Sequence, residues 1–357
     1  MVMGCLTHGA LVLSVPAPSS VNRQHSEFDR ILQCRWKEAA DAGVCFYRLN
    51  RLQNKTIPGQ YRFVAQYNPE KSKPGWRRPS QNLRKVNQAF DPLQFNFNQI
   101  HGREVVMGPG ELLLDSDDEI DTFLIINLSP LEFGSCLLVP KVSQNIPQRM
   151  TLNGLELLLT TVLRSADPRL KAGFSSPGGC ASINHQHYHL YYLQEQLYLE
   201  TAPVEHIAGP CFALKDYPAK GFAFQLDNDP TQLARHVFTL ADYMRQNEIA
   251  HNMFITRGTR FEGSSSDDDV HCEIIYDTLR VFLWAREPAF GAKKDYGGMN
   301  PALCELAGHL LMTDHEEYET MTERMVSNIF DNLTASLFQR LLPKIPQLLH
   351  DSCRDSS

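Results

Sequence analysis

Apolar residues in this chain fall into short continuous runs, separated by turns and by longer segments with helical spacing. Two runs, 122–130 and 134–140, are joined by a turn containing proline and glycine and predict adjacent strands. Helical spacing follows over 152–165, and a third run, rich in Tyr and Leu, ends at Leu193. The order strand, turn, strand, helix, strand predicts an α+β fold with an antiparallel sheet that has the third strand in its middle.

The second half of the chain repeats the order of strands and helix. Strands are predicted at 221–226, 250–257 and 279–286, a helix at 231–246, and a final pair of helices between Leu303 and Leu342. We therefore expect two related modules. The predicted divisions are a flexible N-terminal tail over 1–25, a first module over 26–198, a degenerate second module over 199–345 and a tail over 346–357.

Composition and charge narrow the class of protein. Hydrophobic residues make up 43% and charged residues 21% of the 357 residues, which is ordinary for a soluble globular protein. The net charge of -7 argues against a broad surface for nucleic acid or anionic membrane. Nine scattered cysteines without a C-x-x-C pair indicate free thiols in a reducing compartment. No apolar run approaches the ~20 residues of a membrane span, so we expect a cytoplasmic protein.

Three alternating histidines, His185, His187 and His189, are the main chemical signal of the sequence. On a strand they would share one face at intervals of ~6.5 Å, after a turn of small residues at 175–179. A buried polar ladder is the first interpretation, but it requires a hydrogen-bond partner for each imidazole. The second is a metal site. The third is covalent catalysis, in which a neutral imidazole attacks phosphorus.

Strings along 27–342 resemble one family and favour the third interpretation. The chain is similar to the GDP-hexose phosphorylases of the histidine-triad superfamily in YRFVAQ (61–66), the FDP and FNF pair (90–97), INLSPLEFG (126–134), LLVPK (137–141), PQR (147–149), ASINHQHYHLYYL (181–193), FITRG (254–258) and CELAGHL (304–310).

The resemblance implies a fold and a reaction. The fold is a histidine-triad-like antiparallel sheet with flanking helices, in two related modules as in galactose-1-phosphate uridylyltransferase. The reaction is phosphorolysis of GDP-D-glucose by inorganic phosphate through a GMP-histidine, clearing misformed GDP-glucose without a metal or other cofactor. His187 matches the histidine that carries GMP. The other candidate substrate contacts are His185 and His189 of the triad, Ser182 at the phosphate, Asn127 at the ribose, and Arg149 and Arg257 at the acceptor phosphate.

Several alternatives stay open at the level of sequence. Asn127 is also what a turn-capping amide at a strand end looks like, and both arginines suit a structural role equally well. His189 stands where plant relatives and the uridylyltransferases carry glutamine and where nucleotide hydrolases carry histidine. A hydrolase that releases GMP is therefore one alternative, and a non-catalytic nucleotide-binding protein is another. The sequence leaves the choice between a monomer and a homodimer undecided.

Overall fold

The computed structural model describes residues 26–72, 81–112, 121–261, 276–290, 296 and 299–354, and the predicted N-terminal tail lies outside these ranges. The described strands are β1 Gln53–Thr56, β2 Val64–Tyr67, β3 Val105–Met107, β4 Phe123–Ile126, β5 Cys136–Val139, β6 Leu170–Ser175, β7 Tyr188–Tyr192, β8 Val204–Ala208, β9 Cys211–Leu214, β10 Phe222–Gln225, β11 His251–Gly258, β12 Thr278–Ala285 and β13 His309–Met312. The described helices are α1 Glu27–Asp41, α2 Leu152–Arg164, α3 Pro230–Gln246, α4 Leu303–Leu306, α5 His315–Thr320, α6 Glu323–Leu341 and α7 Ile345–Arg354.

Ten strands form one antiparallel sheet in the order β3-β4-β5-β7-β6-β11-β12-β10-β9-β8. Five come from each half of the chain, and the second five repeat the first in mirrored order. The halves join where β6 pairs with β11, from Ala172 opposite Ile255 to Ser175 opposite Asn252. A Cβ at Gly173 would collide with the backbone carbonyl of Met253, so this join needs a glycine. The predicted antiparallel α+β sheet is confirmed, with β7 inside it.

The two faces of the sheet have different covers. Tyr188, Leu190 and Tyr192 of β7 pack into an apolar cluster with helices α1, α2, α3 and α7. Tyr191 and Leu193 point to the opposite face, where strands β2 and β13 and helices α4 to α6 form the second cluster. Because side chains alternate along a strand, this second face is also the one that His189 shares with Tyr191.

Two predictions for the C-terminal part are wrong. The region predicted as a pair of helices contains β13, which follows Gly308 at a positive φ and pairs in parallel with β2. The hydrogen-bond partners of β13 lie far away in sequence, so no local sequence pattern predicts this strand. Most of the tail predicted at 346–357 is α7, whose Ile345 and Leu349 are buried near α3. Pro346 falls in the first turn of α7, where proline interrupts no helical hydrogen bond. None of the described helices is long and apolar enough to span a membrane.

Candidate active site

A cavity of about 190 Å³ lies at the N-terminal end of β7, next to β4 and β5. Its polar lining includes His187, His189, Ser182, Asn127 and Cys180, and its apolar lining includes Phe46, Phe97, Ile125, Leu128, Leu131, Leu137 and Ile183. A larger cavity, about 320 Å³, borders the start of α2 and contains none of the predicted histidines. The smaller cavity is therefore the candidate site, because it combines apolar walls with convergent polar groups.

His187 has one ring nitrogen held and the other available for chemistry. Its Nδ1 lies 2.8 Å from the carbonyl oxygen of His185, an acceptor that requires the proton on Nδ1. In the neutral ring Nε2 then carries a lone pair. The residue is 3% exposed, and burial lowers its pKa to about 4, so the imidazole is neutral at physiological pH. This is the protonation state that a nucleophilic histidine needs.

The backbone of His187 is clamped by the buried side chain of Gln148. The His187 N–H donates to Gln148 Oε1 at 2.9 Å, and Gln148 Nε2 donates to the His187 carbonyl at 3.2 Å. The same Nε2 also donates to the Ser175 carbonyl at 2.9 Å, which ties the clamp to the end of β6. In the string PQR, the resemblance implied a role for Arg149, but the neighbouring residue Gln148 is the one that contacts His187.

His189 on β7 lies beside His187, which immediately precedes the strand, with the two ring centroids 5.2 Å apart. Its Nδ1 is buried and has no hydrogen-bond partner among the described residues. Burial lowers its pKa to about 3, so this ring is also neutral. A neutral imidazole retains one N–H donor, and a buried nitrogen without a partner is the kind of group that a ligand oxygen satisfies.

His185 does not join the other two histidines, contrary to the expectation of three imidazoles on one face. Strand geometry begins only at Tyr188, so the two-residue period does not extend back to position 185. The ring packs against Phe90 and Phe97, with centroids 5.2 and 5.4 Å away. Its Nδ1 accepts a hydrogen bond from the Phe97 backbone N–H at 3.0 Å. His185 thus positions Phe97, which lines the cavity, and does not line the cavity itself.

Asn127 and Ser182 both reach the cavity. Asn127 Oδ1 accepts a hydrogen bond from the Ser129 N–H at 3.0 Å, so the turn-capping role exists together with its place in the cavity wall. That bond orients the amide in the cavity wall. Ser182 is held through its backbone carbonyl, which accepts from the Gln81 N–H at 2.9 Å.

The two predicted phosphate-binding arginines lie outside the cavity. Arg257 is buried, and its Nη2 donates to the Ser165 carbonyl at 2.5 Å. Asp29 and Asp167 also act electrostatically on it, so its position is structural. Arg149 is exposed, and it contributes its carbonyl to the amide of Gln186 at 2.8 Å. A basic residue beside a motif looks the same in sequence whether it reaches the site or not.

The turn of small residues at 175–179 uses two of its backbone N–H groups in hydrogen bonds within the protein. The Ser176 N–H donates to the carbonyl of His251 at 3.0 Å, and the Gly179 N–H donates to the carbonyl of Ser176 at 2.8 Å. These bonds shape the turn and leave neither group for a ligand. No group of three His, Cys, Asp or Glu side chains in the described ranges is arranged to hold a metal ion.

Two family models match the chain. The model described as the GDPGP1-like N-terminal domain matches residues 27–191, and the model described as the GDPGP1-like C-terminal domain matches residues 199–351. Together they cover most of the sequence.

Similar proteins include GDP-D-glucose phosphorylase 1 of Homo sapiens, 41% identical over 310 residues that cover 84% of this chain and 77% of the relative. The protein of the same name from Danio rerio is 38% identical, with 86% and 87% covered. GDP-L-galactose phosphorylase 2 of Arabidopsis thaliana is 27% identical, with 84% and 71% covered. Among solved structures, yeast Ap4A phosphorylase Apa2 in complex with Ap4A has a TM-score of 0.56 at 13% identity, covering 87% of this chain and 97% of that one, which supports the fold.

Proposed function

The chain belongs to the GDPGP1-like family, and from this premise we propose that it catalyses the phosphorolysis of GDP-D-glucose to GDP and glucose 1-phosphate. The observation that carries the proposal is the state of His187: a buried, neutral imidazole with Nδ1 bonded to a carbonyl and Nε2 available at a cavity. The full-length similarity to proteins named GDP-D-glucose phosphorylase supports the substrate.

The reaction proceeds in two displacements at the α-phosphorus. In the first, the Nε2 lone pair of His187 forms a bond to phosphorus, the bond to the bridging oxygen breaks, and glucose 1-phosphate leaves with that electron pair. The His185 carbonyl stabilises the positive charge that develops on the ring, because it accepts from Nδ1–H at 2.8 Å. In the second, a phosphate oxygen attacks the same phosphorus, the P–N bond breaks, and His187 returns to its neutral form as GDP departs.

The cavity walls divide the work of binding GDP-glucose. The apolar part, with Phe97 and Ile125, offers a surface for the guanine base. We assign Asn127, which also lines the cavity, to the ribose hydroxyls. Ser182 and His189 border His187 and can donate to the nonbridging oxygens of the α-phosphate, where charge increases in the transition state. Neither proton donation nor binding at these positions requires a metal.

Two further proposals concern the chain as a whole. We place its division into modules near residue 199, which the mirrored strand order and the bounds of the family models support. We place the protein in the cytoplasm, where it would clear misformed GDP-glucose. The six described cysteines that carry free thiols support a reducing compartment.

The test supplies GDP-glucose with and without inorganic phosphate and separates GDP from GMP among the products. Phosphorolysis predicts GDP and glucose 1-phosphate in proportion to phosphate, with a guanylyl adduct on His187 when phosphate is omitted. His189, a histidine as in nucleotide hydrolases, makes water the competing acceptor. GMP formed at an unchanged rate in saturating phosphate would reject the phosphorylase, and a quenched mixture without any adduct on His187 would reject the covalent mechanism.

A further inference from the structure

Arg286 is a buried guanidinium that is only partly satisfied. It follows β12 and is 0% exposed. Its Nε donates to the carbonyl of Glu287 at 3.0 Å, and its Nη1 contacts the carbonyl of Pro301 and lies 3.7 Å from Cys180 Sγ. Its other terminal nitrogen, Nη2, is buried and has no hydrogen-bond partner among the described residues. The two N–H groups of Nη2 thus have no acceptor among the described residues.

The same strand provides a comparison in Arg280, which is 2% exposed. All three nitrogens of Arg280 donate, to the carbonyls of Thr259, Leu199 and Ala202 and to the Thr259 hydroxyl, at 2.6 to 3.2 Å. The hydrogen-bonding capacity of Arg280 is therefore used within the protein, as expected of an arginine with a structural role. At Arg286 the described acceptors are neutral, and Nη2 has none. A buried charge without a counter-charge is costly, so Arg286 is suited to receive an anion.

Arg286 lies at the same end of the sheet as His187. Strand pairing places Ser175 opposite Asn252 and Asn252 opposite Trp284. The first residues of β7 and β11 and the last residues of β6 and β12 therefore lie at the same edge of the sheet. Three strand spacings separate the outer two strands, ~14 Å between main chains. The Asn252 amide donates to the Ser175 hydroxyl and to the Gly179 carbonyl, both at 2.8 Å. It thereby holds the turn that leads to Cys180.

Cys180 connects this guanidinium to the cavity. It lines the cavity together with Ser182 and His187, while its Sγ contacts Arg286 Nη1. Opposite residues of paired strands share a face, so His189, Gly173, Ser175, Asn252 and Trp284 lie on one face of the sheet, and Arg286 follows Trp284 by two residues. One side chain, that of Cys180, therefore separates the guanidinium from the cavity that His187 lines.

We propose that Arg286 binds inorganic phosphate, the acceptor of the second displacement, through Nη2. The inference rests on the proposed function, because that reaction brings a phosphate in line with the P–N bond, on the face of phosphorus opposite His187 Nε2. One phosphate oxygen forms the new P–O bond, the P–N bond to His187 breaks, and Arg286 neutralises the charge of the attacking group without exchanging a proton. In the first displacement the phosphate of the leaving glucose 1-phosphate occupies the same position. There the substrate is also held by its guanosine and hexose parts.

The experiment compares the wild-type chain with Arg286→Lys, Arg286→Gln and the matched control Arg280→Lys. Each protein is first given GDP-glucose without phosphate, and the guanylyl adduct on His187 is quantified. The purified adduct is then mixed with increasing phosphate, and GDP is followed by rapid quench. Thermal unfolding of all four proteins checks the fold. A wild-type protein that forms no adduct, or an adduct that phosphate does not discharge, would reject the proposed function whatever Arg286 does.

With a functional wild type, Arg286→Gln should raise the phosphate concentration needed for half-maximal discharge about ten- to one-hundredfold, the value of one hydrogen bond to a charged group. Arg286→Lys should recover part of that loss, because it keeps the charge but not the fork of donors. Arg280→Lys should match the wild type in phosphate dependence even if it unfolds at a lower temperature. Unchanged phosphate dependence in a folded Arg286→Lys or Arg286→Gln protein overturns the inference.

Discussion

Replacing Gln148 with methionine should slow the guanylylation of His187 in a protein that is less stable but still folded. Methionine has nearly the length of glutamine but makes none of the three hydrogen bonds, at 2.9, 3.2 and 2.9 Å, that join this side chain to His187 and Ser175. At about 1 kcal/mol each, their loss lowers the free energy of unfolding by about 3 kcal/mol. Release of the His187 backbone moves Nε2, and a displacement of about 1 Å costs roughly 100-fold in rate.

The matched control is Gln186→Met. Gln186 is also buried, and its amide donates to the Arg149 carbonyl and the Thr151 hydroxyl at 2.8 and 2.9 Å, on the opposite face of the sheet from the cavity. The two variants should lose similar stability in urea unfolding. Single-turnover rapid quench with GDP-glucose then measures adduct formation for each. If Gln148→Met forms the adduct within about threefold of the rate of Gln186→Met, the clamp does not position the nucleophile and the reasoning fails.

Three more outcomes can be measured directly. Burial lowers the pKa of His187 to about 4 and those of His189 and His309 to about 3, so the unfolded chain binds protons first below pH 6.5. As the pH falls from 6.5, the free energy of unfolding should decrease by up to about 1.4 kcal/mol per pH unit for each of these histidines, until the pKa of the folded state is reached. Urea titrations at several pH values measure this dependence. If His309→Phe has the same dependence of unfolding free energy on pH as the wild type, the prediction is wrong. Asn127→Asp keeps the turn cap and should retain kcat/KM for GDP-glucose within a few-fold, whereas Asn127→Leu should lower it about tenfold. Equal kcat/KM values of the two variants would exclude a ribose contact. Arg257→Met should lower the unfolding temperature and leave the KM for phosphate unchanged, and a raised KM would return this residue to the site.

The parts of the fold that sequence could predict are those determined by local periodicity. The apolar runs around β4, β5 and β7 and the helical spacing of α2 each carry their own signal, and antiparallel neighbours follow from short turns. Strand β13 has no such signal, because its hydrogen bonds come from β2 across more than two hundred residues.

The site was predictable only where a residue's role follows from its immediate neighbours. His187 and His189 belong to one alternating string, and the structure brings their rings together. His185 belongs to the same string but turns away, because a distant backbone N–H, that of Phe97, binds its ring. Arg257 and Arg286 are both buried arginines, and only their tertiary contacts distinguish them.

The parallel pairing of β2 with β13 has a consequence for the way this chain matures on the ribosome. β2 is translated early, but its partner strand β13 begins only at residue 309, so the three-stranded layer that covers the histidine face cannot close until more than two hundred further residues have been made. Until then the apolar side chains beneath it face water, and chaperones have a target. Nascent chains halted before β13 should remain sensitive to protease around β2, and chains released after α7 should not.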